Sequence, residues 1–162
     1  MKCRVWILAF LLVGFAAATA APRAHGAEPL AVIVNRSNPV ENLSMEDLRK
    51  YCLQQRKHWE NNKRATIVLR EPGQAEREAV LELIYRMSES DFNRYFLQGE
   101  FTGEVQGAPK HLSTAVGVRR FVFNVPGAIG FARLGDVDNT VKVLRINGYA
   151  PGDPQYPLHL VY

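Results

Sequence analysis

Residues 66–77 read T-I-V-L-R-E-P-G-Q-A-E-R and predict a strand, a turn and a helix start in direct succession. The first four residues are side chains that favour β-structure, so they predict a short buried strand. Pro72 and Gly73 break that strand, because proline lacks a backbone donor and glycine permits a tight turn. A helical spacing of apolar residues follows, at Ala75, Ala79, Val80, Leu83, Ile84 and Met87.

A strand that turns directly into a helix start is a natural anion site. The first N–H groups of a helix have no partner within the helix, and the helix dipole is positive at that end. Arg70 and Arg77 bracket the turn, whereas Glu76 places a carboxylate in the first helical turn. Two interpretations stay open: the turn binds an anion, or Glu76 complements the dipole and the turn only connects two elements.

Residues 1–21 have the pattern of a secretory signal peptide. Basic residues precede an apolar core at residues 5–15, and A-T-A at residues 18–20 is a small-residue cleavage motif. A second motif further on means that cleavage could extend to about residue 27. The apolar run is short for a membrane span, so an uncleaved anchor is the lesser alternative. We predict a periplasmic or secreted protein.

Removal of the signal peptide changes the charge of the chain. The full sequence has a formal net charge of +4, but cleavage after Ala20 leaves 142 residues with 18 basic and 16 acidic side chains. Beyond Arg119-Arg120 the charges are interleaved, so no nucleic-acid partner is expected. The remaining length suits one ordinary domain with a real core. We assign residues 28–150 to this domain and residues 151–162 to a C-terminal tail.

Strand and helix patterns alternate along the chain. Strands are also predicted at residues 31–34, 128–132 and 140–146, and helices at residues 45–53, 89–97 and from 112 or 113 to 125. Gly130 in the second of these strands predicts a close backbone approach. Residues 99–110 are rich in glycine and predict an irregular loop. This order predicts an α/β fold with a mainly parallel sheet flanked by helices.

Cys52 and Trp59 both have a packing interpretation. Cys52 is the single cysteine left after cleavage and lies on the apolar face of a helix, so a buried thiol is expected, with intermolecular pairing as the alternative. Trp59 stands in a polar stretch and is expected to anchor that loop by packing, with ligand stacking as the alternative.

The residue types that carry catalysis are not arranged for it. The four histidines are scattered, and none stands at metal-ligand spacing with another ligand. The sequence contains no nucleophile elbow, phosphate-binding P-loop or dinucleotide fingerprint. Ser113 and Thr114 near His111 suit a helix cap better than a nucleophile. We predict that the protein is not an enzyme and holds no metal or cofactor.

Several motifs together resemble a known family. They are V-I-V-N at residues 32–35 with Asn38-Pro39, an L-S segment at residues 43–53 followed by Trp59, F-T-G at residues 101–103 and N-V-P-G-A-I-G-F at residues 124–131. In this order they resemble the phosphate-type substrate-binding proteins of ABC transporters, in the type 2 periplasmic-binding-protein (PBP) superfamily. The last motif is the most specific, because it is similar to the family's N-P-G-A-I-G-Y segment. The resemblance covers residues 30–132 and implies a PBP-like domain.

This resemblance implies that phosphate would bind at the central turn. The family has an arginine, a short spacer and G-S-G-T at the start of a helix, often followed by a second arginine. Here both arginines and the first glycine match, but Gln, Ala and Glu replace the residues that follow, and both hydroxyls are missing. The implied ligand-binding residues are Arg70, Gly73, Gln74, Ala75, Glu76 and Arg77. The backbone N–H groups of residues 74–76 could still bind an oxyanion.

Glu76 would oppose such an anion. At ~4 Å and an effective dielectric constant of ~20, the repulsion is about 4 kcal/mol per unit charge. That energy corresponds to roughly three decades of affinity. Pairing of Glu76 with Arg77, or rotation of its side chain into water, would weaken the repulsion.

The chain is short for the resembled family, whose full members close two lobes over the ligand. A single lobe leaves a ligand exposed to water, so each ion pair contributes less. We expect a single-lobe relative that has weak or lost binding of phosphate or another small oxyanion and works with an ABC transporter or another envelope protein. The competing hypothesis is an interaction module that docks on an envelope partner and binds no small molecule. The oligomeric state is not predicted.

Overall fold

The structure is a computed structural model that describes residues 27–160. The expected signal peptide lies outside the described residues. The strands are β1 (Leu30–Val34), β2 (Asn42–Leu43), β3 (Thr66–Arg70), β4 (Lys110–Leu112), β5 (Ala128–Arg133), β6 (Lys142–Val143) and β7 (Arg145–Ile146). The α-helices are α1 (Met45–Cys52), α2 (Ala75–Val80), α3 (Glu89–Thr102) and α4 (Ala115–Asn124), with a π-helical turn at Leu81–Tyr85 and a 3₁₀ turn at Leu134–Asp136.

The central sheet has five strands in the order β4-β3-β5-β1-β6. Strand β3 pairs in parallel with both β4 and β5, whereas β1 runs antiparallel to β5 and β6. Four of the five strands therefore point the same way. A second, two-stranded sheet pairs β2 with β7 in parallel. The predicted α/β fold with a mainly parallel sheet flanked by helices is confirmed.

Both faces of the central sheet are covered. Strand β1 is buried along its whole length: Val32 and Val34 point into the larger core, and Ala31 and Ile33 into the smaller one. This alternation follows from the two-residue period of a strand. The larger core includes side chains of α1, α2 and α3, and the smaller core includes side chains of α4. In the part of the chain that is described, no helix is long and apolar enough to cross a membrane.

Serine side chains cap two of the helix starts. The hydroxyls of Ser44 and Ser88 accept hydrogen bonds from backbone N–H groups three residues later, at 3.0 and 3.1 Å. Such bonds satisfy donors that a helix start leaves without partners. Helix α4 begins at Ala115 rather than at residue 112 or 113, and its cap is Thr114.

Two local predictions are wrong, and one strand was missed. Residues 99–110 are not one irregular loop, because α3 continues to Thr102 and ends at Gly103, whose φ of 75° suits glycine. Strand β4, in the second half of that stretch, was not predicted; it is a short, charged edge strand without alternating apolar residues. Residues 140–146 form two short strands in different sheets instead of one.

Close backbone contacts explain the glycines of the N-V-P-G-A-I-G-F motif. A Cβ atom on Gly127 would lie 1.8 Å from the carbonyl oxygen of Arg64, and one on Gly130 would lie 2.8 Å from Val122 Cγ2. The predicted close approach at Gly130 is confirmed. These two glycines let β5 pack tightly between a loop and α4.

Trp59 and Cys52 are both buried, as predicted from their packing roles. The Trp59 indole donates a hydrogen bond of 3.0 Å to the Gly127 carbonyl, and its ring lies 4.4 Å from that of Tyr51. The tail also reaches the core: the Tyr156 hydroxyl donates a 2.9 Å bond to the Leu30 carbonyl. The division of the chain into a domain and a tail stays a prediction.

Candidate functional site

The candidate site lies at the edge of the central sheet where β3, β4 and β5 end and β1 begins. The antiparallel register places Leu30 opposite Arg133, and the parallel register of β3 brings its end, Arg70, to the same edge. Helix α2 follows β3 onto one face of the sheet, and α4 follows β4 onto the other. In open α/β sheets, ligands bind at such a switch point.

The predicted strand, turn and helix start are all present at this edge. Gly73 adopts a φ of 81°, which a residue with a side chain rarely does, and so allows the sharp turn. Gln74 is the residue before α2, and its carbonyl accepts bonds from the N–H groups of Arg77 and Glu78 at 2.9 and 3.0 Å. The six predicted site residues therefore lie together in one turn.

Arg70 is held by a residue of its own turn. Its Nη2 donates a 2.7 Å hydrogen bond to Gln74 Oε1, so the glutamine uses one of the five N–H donors of the guanidinium. Arg70 Nε is buried and has no hydrogen-bond partner within residues 27–160. Arg70 thus retains one buried donor.

The Arg77 side chain is buried and bound by groups of the protein. Its guanidinium donates two bonds to the Glu89 carboxylate, at 2.9 and 2.7 Å, and a third to the Arg70 carbonyl at 3.2 Å. It also lies 4.9 Å from the centre of the Phe92 ring. The Arg77 side chain is fully buried, while that of Glu89 is 41% exposed. Arg77 therefore links the turn to α3.

Glu76 pairs with a cation that the sequence analysis did not consider. Arg133, at the end of β5, donates from Nε to Glu76 Oε1 at 2.8 Å and from Nη1 to Glu28 Oε2 at 3.2 Å. Glu76 is only 4% exposed. Both earlier suggestions for Glu76, pairing with Arg77 or rotation into water, are wrong. The carboxyl ends of parallel strands lie at the same edge of a sheet. A basic residue directly after the strand predicted at residues 128–132 could therefore have indicated a partner for Glu76.

The surroundings of Glu76 favour its charged form. Burial alone would raise the pKa of this carboxyl, but the hydrogen bonds from Arg133 and from its own backbone N–H, and the charges of Arg133 and Arg70, outweigh burial. The pKa of Glu76 is therefore lowered. The carboxylate uses a helix-start donor and a cation, which are the groups that an external anion would need.

The arginines at this edge all have internal acceptors. Gln74 binds Arg70, Glu89 binds Arg77, and Glu76 binds Arg133. No group of three or more His, Cys, Asp or Glu side chains that could hold a metal ion occurs in the described range. Arg77 and Arg133 are thus each paired with a carboxylate of the same chain, whereas Arg70 is bound by a neutral amide.

Comparisons with known proteins identify the fold. The sequence matches no protein-family profile and no curated protein. Solved structures with the same fold include an ABC-type phosphate transport receptor from Vibrio cholerae, with 22% identity and a TM-score of 0.62 over 76% of this chain and 48% of that one. A putative phosphate ABC transporter substrate-binding protein with bound phosphate, from Clostridium perfringens, has 17% identity and a TM-score of 0.66 over 81% and 52%. PstS from Borrelia burgdorferi has 17% identity and a TM-score of 0.63 over 82% and 55%.

The chain spans about half of the length of these structures. At such identities the likeness establishes the fold alone. It confirms the fold expected from the sequence motifs. The chain matches only part of the longer proteins. The proteins it resembles are named as phosphate receptors or substrate-binding proteins of transporters. The assignment of residues 70–77 as a ligand site stays a prediction.

Proposed function

We propose that this protein is a secreted or periplasmic single-lobe domain of the solute-binding type, with weak or lost binding of phosphate or another oxyanion at residues 70–77. The observation that carries this proposal is the buried pair between Glu76 and Arg133 at the start of α2. An external anion would have to share Arg133 with this carboxylate and lie close to its charge.

Electrostatics supports weak rather than strong binding. An anion ~4 Å from the Glu76 carboxylate is repelled by about 4 kcal/mol at an effective dielectric constant of ~20. Gln74 already occupies Arg70, and Glu89 already occupies Arg77. A single lobe also leaves the ligand open to water, which weakens the remaining interactions. The turn retains the positive charge of Arg70, while carboxylates neutralise Arg77 and Arg133.

The proposed location and partner rest on the sequence and the fold together. The N-terminal pattern of a signal peptide directs the chain out of the cytoplasm. Proteins of the same fold include a transport receptor and a transporter substrate-binding protein. We infer a role beside an ABC transporter or another envelope protein, without catalysis.

A second candidate function is an interaction module without a small-molecule ligand. Leu97 and Phe101, four residues apart on α3, are 58% and 87% exposed. Residues at this spacing lie on one helix face. Exposed aromatic and aliphatic side chains that lie together are typical of protein contacts. This surface is separate from the turn at residues 70–77, so the two functions can be tested independently.

Calorimetric titration of the purified protein with phosphate at low salt tests the first candidate, with sulfate as the control anion. We expect either no saturable heat or only weak phosphate binding that the substitution Arg70→Ala abolishes. Tight binding that survives Arg70→Ala would show that the assigned turn is not the site. If Phe101→Ser abolishes binding to a protein partner and leaves the calorimetric response to phosphate unchanged, the interaction module is favoured.

A further inference from the structure

A second polar cavity lies at the opposite edge of the central sheet from residues 70–77. Strand β1 is antiparallel to its two neighbours, so its end at Val34 lies beside the starts of β5 and β6. The cavity there has a volume of about 540 Å³, and its polar lining comes from Arg36, Ser37, Asn38, Glu41 and Lys142. A cavity of several hundred Å³ is the usual size for a small-molecule site.

Asn38 lines this cavity and carries a buried donor without a partner. The residue is only 2% exposed. Its backbone N–H donates to the Asn35 carbonyl at 3.0 Å, and its Oδ1 accepts from the Val40 N–H at 2.9 Å. Its carbonyl accepts from Lys142 Nζ. Its Nδ2 alone has no partner in the described part of the chain. A buried donor without an acceptor is costly and rare, so this amide lacks an acceptor that a ligand can supply.

Two cations also line this cavity. Lys142 Nζ bonds Glu41 Oε1 at 2.7 Å and the Asn38 carbonyl, which leaves one of its three N–H groups. The Arg36 guanidinium donates to the Asn139 carbonyl, and no carboxylate of residues 27–160 lies within 4.0 Å of it. A guanidinium has five N–H donors in a planar fork that matches a carboxylate. Arg36 therefore has donors to spare for a planar anion.

We propose that this cavity binds a small monocarboxylate, whose oxygens accept hydrogen bonds from Asn38 Nδ2 and from the Arg36 guanidinium. Two cations and the Glu41 carboxylate give the lining one net positive charge, which one carboxylate neutralises and a phosphate dianion exceeds. Pro39, Val141 and Val143 complete the wall with apolar surface for a short hydrocarbon tail. The inference does not rest on the proposed function, because it uses none of residues 70–77.

The test is a titration of ¹⁵N-labelled protein with butyrate, followed by NMR. Butyramide is the control ligand, because it has the same shape and no charge. We expect saturable shifts of the Asn38 side-chain NH₂ signals and of the backbone signals of residues 36–38 and 141–143. Butyramide should shift them far less. Absence of saturable shifts, as when only water fills the cavity, overturns the proposal.

Matched variants locate the binding. Arg36→Gln should weaken butyrate binding at least about tenfold, because a charge-assisted pair is lost. Arg94→Gln removes the same charge from the exposed face of α3 and should leave the affinity unchanged. Asn38→Asp keeps the Oδ1 acceptor and replaces the Nδ2 donor, so it should abolish butyrate binding. If this variant does not fold, the affinity of Arg36→Gln for butyrate still tests the proposal. Equal affinity in Arg36→Gln and wild type, or loss of binding only in Arg70→Gln, contradicts the proposal.

Discussion

Arg133 Nε donates a 2.8 Å hydrogen bond to Glu76 Oε1 and thereby joins the end of β5 to the first turn of α2. Glu76 is nearly completely buried, so this contact is part of the fold and not a chance surface pair. It places a carboxylate with a lowered pKa at a helix start, where proteins commonly hold anions. The first turn of α2 therefore has an internal carboxylate beside its own backbone N–H group.

Glu89 should be more important for stability than its 41% exposure suggests. Glu89→Ala leaves the fully buried Arg77 guanidinium without its counter-charge. We expect a loss of about 3 kcal/mol in the free energy of unfolding, the lower end for a broken buried pair, because Glu89 itself is partly solvated. Glu78→Ala, at an exposed position of the preceding helix, is the control and should cost less than about 0.5 kcal/mol. Urea denaturation measures both, and equal losses would contradict the role given to Glu89.

The contribution of Glu89 should also depend on pH. The hydrogen bond from Arg77 lowers the pKa of Glu89; burial opposes this effect, and the Arg77 charge adds to it. A carboxyl with a lowered pKa in the folded state stabilises fully above its unfolded pKa of about 4.3 and loses that contribution as the pH falls through the lowered value. The stability difference between wild type and Glu89→Gln should therefore be largest near about pH 6 and shrink towards about pH 3. A stability difference between the two proteins that grows as the pH falls would contradict a lowered pKa for Glu89.

Gly127 should not tolerate a side chain. A Cβ atom there would lie 1.8 Å from the Arg64 carbonyl oxygen, which belongs to the backbone and cannot turn away. Gly127→Ala should cost about 3 kcal/mol, because the loop that holds Trp59 has to move. Gly135→Ala is a matched control, since no atom lies within 4 Å of the added Cβ. Thermal melts should separate the two variants by several degrees, and similar melting temperatures would refute the packing argument.

Cys52 should be unreactive in the folded protein. Burial raises the pKa of its thiol to about 12, and the Tyr85 hydroxyl only partly opposes the effect. Because the thiolate is the reactive form and burial disfavours it, alkylation should require opening of the core. The measurement is the labelling rate by iodoacetamide in a Cys3→Ser background, with and without urea. Rapid labelling without denaturant would contradict the burial.

The sequence was sufficient for the main features of the fold. Strand β1 is apolar throughout, and β3 and β5 have apolar centres. Ser44 and Ser88 mark the starts of their helices through local capping bonds. Such signals act over a few residues and can be read directly. Strand β4 escaped prediction because a short edge strand is defined by the backbone of its neighbour and not by its own side chains.

The candidate site was only partly predictable for a related reason. The residues of the turn are consecutive, so the sequence places them together. Arg133 lies 57 positions after Glu76, and only the sheet register brings them into contact. The same applies to Arg77, whose partner on α3 is set by the packing of that helix. Whether a charge is free or neutralised depends on such contacts between distant segments.

The most direct test is a calorimetric titration with phosphate. It compares the wild type with the double variant Gln74→Ser, Glu76→Thr and asks whether side chains of this chain take the place of a bound oxyanion. Gln74→Ser frees Arg70, and Glu76→Thr removes the carboxylate and supplies a hydroxyl. We predict weak or undetectable binding by the wild type and saturable binding at least about tenfold tighter by the variant, in line with the repulsion that is removed. Tight phosphate binding by the wild type, or no gain in a folded double variant, would contradict the account.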